Sequence, residues 1–186
     1  MSENDKMKEA LLEGIESRKA VVGVVGLGYV GLPLALCFLE KGFSVLGFDV
    51  DEAKIQALDR GESYIKHIGT DRVAKAAKSD AFATTTSFSR LDEPDAILIA
   101  VPTPLTRQRE PEMKYVRDTA AQLARHLRKG QLVVLESTTY PGTTDELVRS
   151  ILEQGSGLRC GEDFFLAFSP EREDPGNASF NTRTIP

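Results

Sequence analysis

Short apolar runs alternate along this chain with stretches of helical periodicity. Within the runs, hydrophobic residues are nearly continuous and do not show the period of two expected of a strand with one solvated face. Such runs are typical of strands that are covered on both faces, as in a parallel sheet. The sequence therefore predicts strands at 20–25, 44–50, 96–101, 132–137 and 164–169, with a weaker candidate at 82–86.

The segments between these runs carry charges on one side and apolar residues on the other. They predict helices at 30–41, 51–60, 70–79, 114–129 and 143–154. Alternating strands and helices imply right-handed crossovers that cover both faces of a sheet. We therefore expect an α/β fold with a doubly wound, mostly parallel sheet of Rossmann type. An amphipathic helical extension at 1–18 is expected to precede a single domain at 19–186.

Residues 20–39 carry no charge, and their number is about that needed for a membrane-spanning helix. Four glycines and Pro33 interrupt this stretch. Because each glycine costs about 1 kcal/mol inside a helix, a buried strand, a tight turn and a helix are expected here, and a membrane span is not.

Charge and cysteine content narrow the range of partners. The chain has 23 Lys and Arg against 28 Asp and Glu, a net charge of −5, and no basic cluster. A nucleic-acid partner is therefore not expected, and neither is an anionic membrane surface. Two cysteines cannot form a disulfide framework, and the N-terminal residues lack the apolar stretch of a signal peptide, so a cytoplasmic location is expected.

The strongest local signal is a G-x-G-x-x-G motif between a predicted strand and a predicted helix. Its residues are Gly26, Leu27, Gly28, Tyr29, Val30 and Gly31. In dinucleotide-binding proteins the first glycine permits a tight turn, the second lets a pyrophosphate approach backbone N–H groups, and the third lets the helix pack closely. The motif alone also fits a turn that binds nothing, or the similar loop of a methyltransferase. The strand before it and the helix after it favour dinucleotide binding.

An acidic residue supports this interpretation and bears on the choice of cofactor. Asp49 ends the next predicted strand, 21 positions after Gly28, where a carboxylate binds a ribose 2′-hydroxyl. A 2′-phosphate would be repelled there, and no Arg follows at once, so NAD is favoured over NADP. Lys54 is expected either to contact the adenosine side of the cofactor or to lie on a solvated helix face.

Polar loops follow three other predicted strands, at 101–104, 136–142 and 169–176. Ligands of open α/β sheets bind beyond the carboxyl ends of the strands. Each loop alone could be a simple turn in which Ser and Thr bond to nearby backbone. Together with the glycine motif, the three loops are expected to surround one crevice.

Five segments, in this order, resemble the N-terminal half of the UDP-glucose/UDP-N-acetylhexosamine 6-dehydrogenase family. They read VGVVGLGYVGLPLA, GFDVDEAKI, VPTPL, ESTTYPGTT and FSPEREDPGN. The resemblance covers nearly all of 19–186. The SPEREDPGN form is most similar to UDP-N-acetylglucosamine 6-dehydrogenases of bacterial polysaccharide synthesis, because the corresponding segment of UDP-glucose enzymes is closer to SPEFLRE.

The resemblance implies an oxidoreductase that converts the C6 alcohol of a UDP-sugar to a carboxylate with two NAD in succession. In the family, a cysteine holds the aldehyde as a thiohemiacetal, which is oxidised to a thioester and hydrolysed. The family's cofactor positions are matched by Gly26 to Gly31, Asp49, Lys54, Thr103 and Thr138. Thr138 also matches a residue that holds the catalytic water. Glu171 matches a carboxylate that handles water or a proton, and Glu171 and Arg172 are both expected to contact the substrate.

The chain also departs from the family pattern. A second Glu of the UDP-glucose enzymes is replaced by Pro175, which leaves Glu173 and Asp174 as alternatives for its role. The family's nucleophilic cysteine follows the SPE segment, together with a Lys, an Asn and a second domain that binds UDP. Cys160 precedes that segment, so it is not expected to be catalytic.

We therefore expect this chain alone to bind NAD without oxidising a UDP-sugar, and the longer parent enzyme to be a homo-oligomer. His67 and His126 have no ligand spacing with the cysteines, so no metal site is expected. The alternatives are a 6-dehydrogenase for another UDP-hexose or for UDP-N-acetylmannosamine, a different two-domain NAD dehydrogenase, and a stand-alone NAD-binding or redox-sensing module.

Overall fold

The computed structural model describes residues 2–66 and 68–170. A six-stranded sheet with the order β3-β2-β1-β4-β5-β6 forms its centre, and every pairing between neighbouring strands is parallel. The strands are β1 Val21–Val25, β2 Ser44–Phe48, β3 Phe82–Thr85, β4 Ala96–Ile99, β5 Leu132–Leu135 and β6 Phe165–Phe168. The doubly wound sheet is therefore confirmed, and the weak candidate at 82–86 is an edge strand. The direction of winding reverses between β1 and β4.

Helices cover both faces of the sheet. They are α1 Glu3–Glu16, α2 Gly31–Glu40, α3 Glu52–Asp59, α4 Thr70–Ala77, α5 Lys114–Ala124 and α6 Arg149–Ser156. A 3₁₀ helix lies over Phe88–Asp92, and a π-helical segment over Thr143–Val148 leads into α6. Within the described residues, no helix is long and apolar enough to cross a membrane.

One helix is shorter than the sequence predicts. The periodicity indicates a helix over 114–129, but α5 ends at Ala124. The N–H groups of Arg125 and His126 bond to carbonyls three residues back, which tightens the last turn and ends the helix. Gly130, with a φ of +82°, then leads the chain into β5.

The buried side chains form two clusters, one on each face of the sheet. In β1, Val22 and Val24 belong to the cluster under α2, α3 and α4, whereas Val25 belongs to the cluster under α5 and α6. In β4, Leu98 belongs to the first cluster and Ile97 to the second. Because the four inner strands, β1, β2, β4 and β5, contribute to both clusters, their sequences are apolar at nearly every position.

Helix α1 lies across the amino ends of the strands. Its Asn4 amide donates to the carbonyl of Gly161, which precedes β6. The carbonyl of Gly14, near its other end, accepts from the N–H of Ala20, which precedes β1. Beyond the helix, the guanidinium of Arg18 lies 4.8 Å from the ring centre of Phe43, which precedes β2. The carboxyl ends of the strands, on the opposite edge, are left free for a ligand.

Candidate functional site

A cleft of about 570 Å³ opens at the carboxyl ends of β1, β2 and β4. It lies where the winding reverses, which is the usual ligand position in a doubly wound sheet. The glycine loop forms one side of the cleft, and Lys114, Tyr115, Asp118 and Thr119 at the start of α5 form another. The remaining walls come from the ends of β2 and β4 and from the 3₁₀ helix.

The three glycines of the loop differ in whether the fold requires them. Gly26 has a φ of +94°, and a Cβ there would lie 2.7 Å from the carbonyl oxygen of Ala100. A Cβ on Gly31 would collide with the carbonyl oxygen of Gly26. A Cβ on Gly28, by contrast, would meet nothing within 4 Å. The fold itself therefore requires the first and third glycines, whereas Gly28 borders open space in the cleft.

Backbone donors are available beside Gly28. The first N–H groups of a helix have no partner within the helix, and Val30, which caps the N-terminus of α2, makes no side-chain capping bond. Within residues 2–66 and 68–170, the N–H groups of Gly28 and Val30 have no acceptor. Open space beside free donors at a helix N-terminus fits the pyrophosphate of a dinucleotide.

Asp49 lies just beyond β2 and is only 5% exposed. Its Oδ2 accepts from the N–H of Leu27 and from Nζ of Lys54, and its Oδ1 accepts from the N–H of Asp51, all at 2.9 Å. A carboxylate has about four acceptor positions, so one remains for a ribose hydroxyl. The carboxylate is held in place by the glycine loop on one side and by α3 on the other.

Lys54 is paired with Asp49, and both residues line the cleft. Its side chain keeps 32% of its surface exposed. Lys54 is therefore not fully solvated, and its contact with the adenosine side of the cofactor stays a prediction.

Tyr64 is a residue of the site that sequence reasoning missed. It lies between α3 and α4, and its hydroxyl donates to the carbonyl of Leu27 at 2.6 Å. Burial and the nearby charge of Asp49 raise the pKa of Tyr64, so its hydroxyl stays protonated. No local pattern could have indicated this contact, because the segment around Tyr64 shows neither helical nor strand periodicity.

Exposed apolar side chains border the cleft. Val50 is 84% exposed and Tyr115 is 45% exposed, and Phe88 lines the same cleft. Exposed apolar surface beside polar groups is a common feature of ligand sites. These side chains offer a flat apolar ligand a place to pack.

Hydrogen bonds join two of the predicted polar loops. The hydroxyl of Thr103 donates to the carbonyl of Thr138 at 2.7 Å. The buried hydroxyl of Ser137 donates to the carbonyl of Val101 at 2.8 Å, a link that the sequence did not predict. Thr103 and Thr138 are therefore neighbours, at the same edge of the sheet as the glycine loop.

A second cleft of about 470 Å³ lies beside Thr138, at the carboxyl ends of β5 and β6. Residues 139–145 and 166–168 line it. The third polar loop begins at this edge, because the N–H of Ser169 donates to the carbonyl of Leu135. Glu171 and Arg172, which the sequence assigns to catalysis and to the substrate, lie outside the described residues, as do Glu173, Asp174 and Pro175.

The two cysteines lie away from the clefts. Cys37 is in α2, and Cys160 precedes β6 at the amino edge of the sheet. Burial raises the pKa of the Cys160 thiol, whereas a nucleophilic cysteine needs a lowered one. That Cys160 is not catalytic stays a prediction.

The parallel sheet, the glycine loop and the carboxylate at the end of β2 define a Rossmann-type dinucleotide-binding domain. Residues 20–186 match the NAD-binding domain of the UDP-glucose/GDP-mannose dehydrogenase family, and the chain belongs to this family. The resemblance seen in the sequence motifs is thereby confirmed.

Similar proteins include nucleotide-sugar dehydrogenases of bacteria and archaea. The chain is 36% identical over 164 residues to the UDP-N-acetyl-D-glucosamine 6-dehydrogenase of Pseudomonas aeruginosa, covering 88% of this chain and 38% of that protein. It is 39% identical over 165 residues to the UDP-N-acetyl-D-mannosamine dehydrogenase of Escherichia coli K12, covering 84% of this chain and 38% of that protein.

A solved structure agrees with these sequence relatives. The NDP-N-acetyl-D-galactosaminuronic acid dehydrogenase of Methanosarcina mazei Go1 superposes with a TM-score of 0.82 at 37% identity, covering 94% of this chain and 38% of that one. The chain thus spans less than two-fifths of the length of these relatives.

Proposed function

We propose that this chain is the NAD-binding part of an enzyme that oxidises the C6 alcohol of UDP-N-acetylglucosamine to the uronic acid with two NAD. The observation that carries the proposal is the cleft between β1 and β4, where the winding of the sheet reverses. Gly28 borders open space in this cleft, and the free N–H groups of Gly28 and Val30 lie beside that space. NAD would supply the hydride acceptor. The protein would bind it, orient it and control water and protons.

The described residues suggest how the cofactor is held. The N–H groups of Gly28 and Val30 would donate to the pyrophosphate. The remaining acceptor position of Asp49 would bind a ribose hydroxyl, with Lys54 beside it. The apolar surfaces of Val50 and Tyr115 would pack against the adenine ring.

Residues that follow β5 and β6 in the sequence are proposed as the catalytic groups. Thr138, held next to Thr103, would hold the water, and Glu171 would take up or deliver its proton. Arg172 would bind the substrate. The nucleophilic cysteine would come from a part of the longer enzyme that this chain does not contain. A homo-oligomeric assembly and a cytoplasmic location of that enzyme stay predictions.

Two substrates are supported by specific observations. The SPEREDPGN segment and the relative from Pseudomonas aeruginosa favour UDP-N-acetylglucosamine. The relative from Escherichia coli, named for UDP-N-acetyl-D-mannosamine, favours its epimer. The full-length enzyme should be given both sugars, and the ratio of their kcat/KM values decides between them.

Cofactor binding is tested by calorimetric titration with NAD and NADP. We expect NAD to bind at least about tenfold more tightly, because Asp49 accepts from a ribose diol and repels a phosphate. Asp49→Asn should narrow this preference, since the amide carries no charge. Asp59→Asn is the control, because Asp59 accepts from Thr84. Equal or tighter binding of NADP by the unaltered chain would contradict the assignment of Asp49.

A further inference from the structure

The peptide groups on the two sides of Leu27 are each held by a side chain from another part of the chain. The N–H of Leu27 donates to Asp49 at 2.9 Å, and its carbonyl accepts from the hydroxyl of Tyr64 at 2.6 Å. Tyr64 is 37 residues away along the chain, and its half-buried ring packs against the first core cluster. The bond from Tyr64 therefore anchors the glycine loop to the core.

The geometry of the peptide bond carries this anchoring to the next residue. The carbonyl of Leu27 and the N–H of Gly28 belong to one planar trans peptide, so they point in opposite directions. Fixing the carbonyl toward Tyr64 fixes the Gly28 N–H away from Tyr64. Gly28 lines the cleft, and its N–H has no acceptor within residues 2–66 and 68–170.

We propose that Tyr64 is a positioning residue for the dinucleotide, which holds the Leu27–Gly28 peptide so that its N–H is ready for the pyrophosphate. Tyr64 is not among the described residues that line the cleft, so it acts through Leu27. This inference rests on the proposed binding of NAD. It adds the group that keeps the donor pre-aligned, which lowers the cost of ordering the loop when the ligand binds.

The test is Tyr64→Phe, which removes the hydroxyl and keeps the ring in the core. We expect the Kd values for NAD and ADP to rise about 5- to 20-fold, because both ligands carry a pyrophosphate. The Kd for adenosine, which carries no phosphate, should change less than about twofold, since the apolar wall of the cleft is untouched. Thr84→Val is the matched control, because it removes a hydroxyl that donates to Asp59.

The possible outcomes distinguish the proposed binding of NAD from the proposed role of Tyr64. If the unaltered chain does not bind NAD, the proposed function fails. If it binds NAD and Tyr64→Phe binds NAD and ADP equally well, the role of Tyr64 is wrong. Equal losses for all three ligands, with a lowered melting temperature, would also overturn it, because they indicate general destabilisation.

A second measurement does not depend on ligand affinity. In the ligand-free protein, the amide resonance of Gly28 should shift in Tyr64→Phe and stay in place in Thr84→Val. An unmoved Gly28 resonance in Tyr64→Phe would show that the hydroxyl does not hold this peptide, and would overturn the proposal.

Discussion

The glycines of the loop differ in whether folding or ligand binding requires them. Gly26 and Gly31 are required by contacts within the chain, because a side chain at either would strike backbone. Nothing in the described structure requires a glycine at position 28. The second glycine of the motif is therefore the residue where function and stability can be measured apart.

Gly28→Val is expected to abolish the binding of NAD and to leave the fold largely intact. The branched side chain would fill the space that a pyrophosphate needs, and its Cβ would have no described atom of the protein within 4 Å. Calorimetry measures the binding, and circular dichroism with thermal melting measures the fold.

Gly69→Val is the control for this prediction. A Cβ at Gly69 also meets nothing within 4 Å, but Gly69 caps α4 and does not line the cleft. Gly69→Val should lower the free energy of unfolding by about 1 kcal/mol or less and should leave the affinity for NAD unchanged. Normal NAD binding by Gly28→Val would show that the loop is only a turn.

Among the elements, α1 is separated from the cleft by the length of the strands. It contacts the amino edge of the sheet through Asn4 and Gly14, and none of its residues is buried. Its N-terminus is capped by a reciprocal pair of bonds between Ser2 and Asp5. The helix thus adds packing to the domain without reaching the ligand site.

Deleting residues 1–18 should lower stability without changing cofactor affinity. The partly buried face of α1 and the contact of Arg18 with Phe43 are worth roughly 1–3 kcal/mol. This corresponds to a fall in melting temperature of about 3–10 °C for a domain of this size. Scanning calorimetry and titration with NAD measure the two effects.

Ser2→Ala provides a milder comparison than the deletion, because it removes only the bond from the Asp5 N–H to the Ser2 hydroxyl and should cost about 1 kcal/mol or less. A loss of NAD affinity beyond about threefold on deletion would mean that α1 is coupled to the crevice across the sheet.

For the whole molecule, the proposed function divides the activity between this chain and further parts of a longer enzyme. Cys37 lies in α2 and Cys160 at the amino edge, so neither faces the crevice. We expect the 186-residue chain to bind NAD and to form no NADH from UDP-N-acetylglucosamine, as followed by absorbance at 340 nm. Turnover by the chain alone would restore Cys160 as a candidate nucleophile.

The full-length enzyme should depend on Glu171. Glu171→Gln keeps the shape of the side chain and removes its ability to transfer a proton, so kcat should fall by about 100-fold or more while NAD affinity changes little. Glu162→Gln is the control, because Glu162 is an exposed residue at the amino edge of the sheet. Full activity of Glu171→Gln would remove Glu171 from the mechanism.

Much of this molecule followed from the sequence alone. The alternation of apolar runs and helical patterns predicted the doubly wound fold, because a strand that is buried on both faces is apolar at nearly every position. The glycine motif and Asp49 were also recognisable, since each lies at a fixed position relative to a strand.

Only the tertiary structure decided which groups hold the site together. The bonds from Tyr64 to Leu27 and from Thr103 to Thr138 join residues that are far apart in the sequence. The pairing of Lys54 with Asp49 depends on how α3 packs beside β2. The pattern of hydrophobic residues along the chain predicts whether a residue is buried. The hydrogen-bond partner of a polar group depends instead on which distant segment the packing brings within hydrogen-bonding distance.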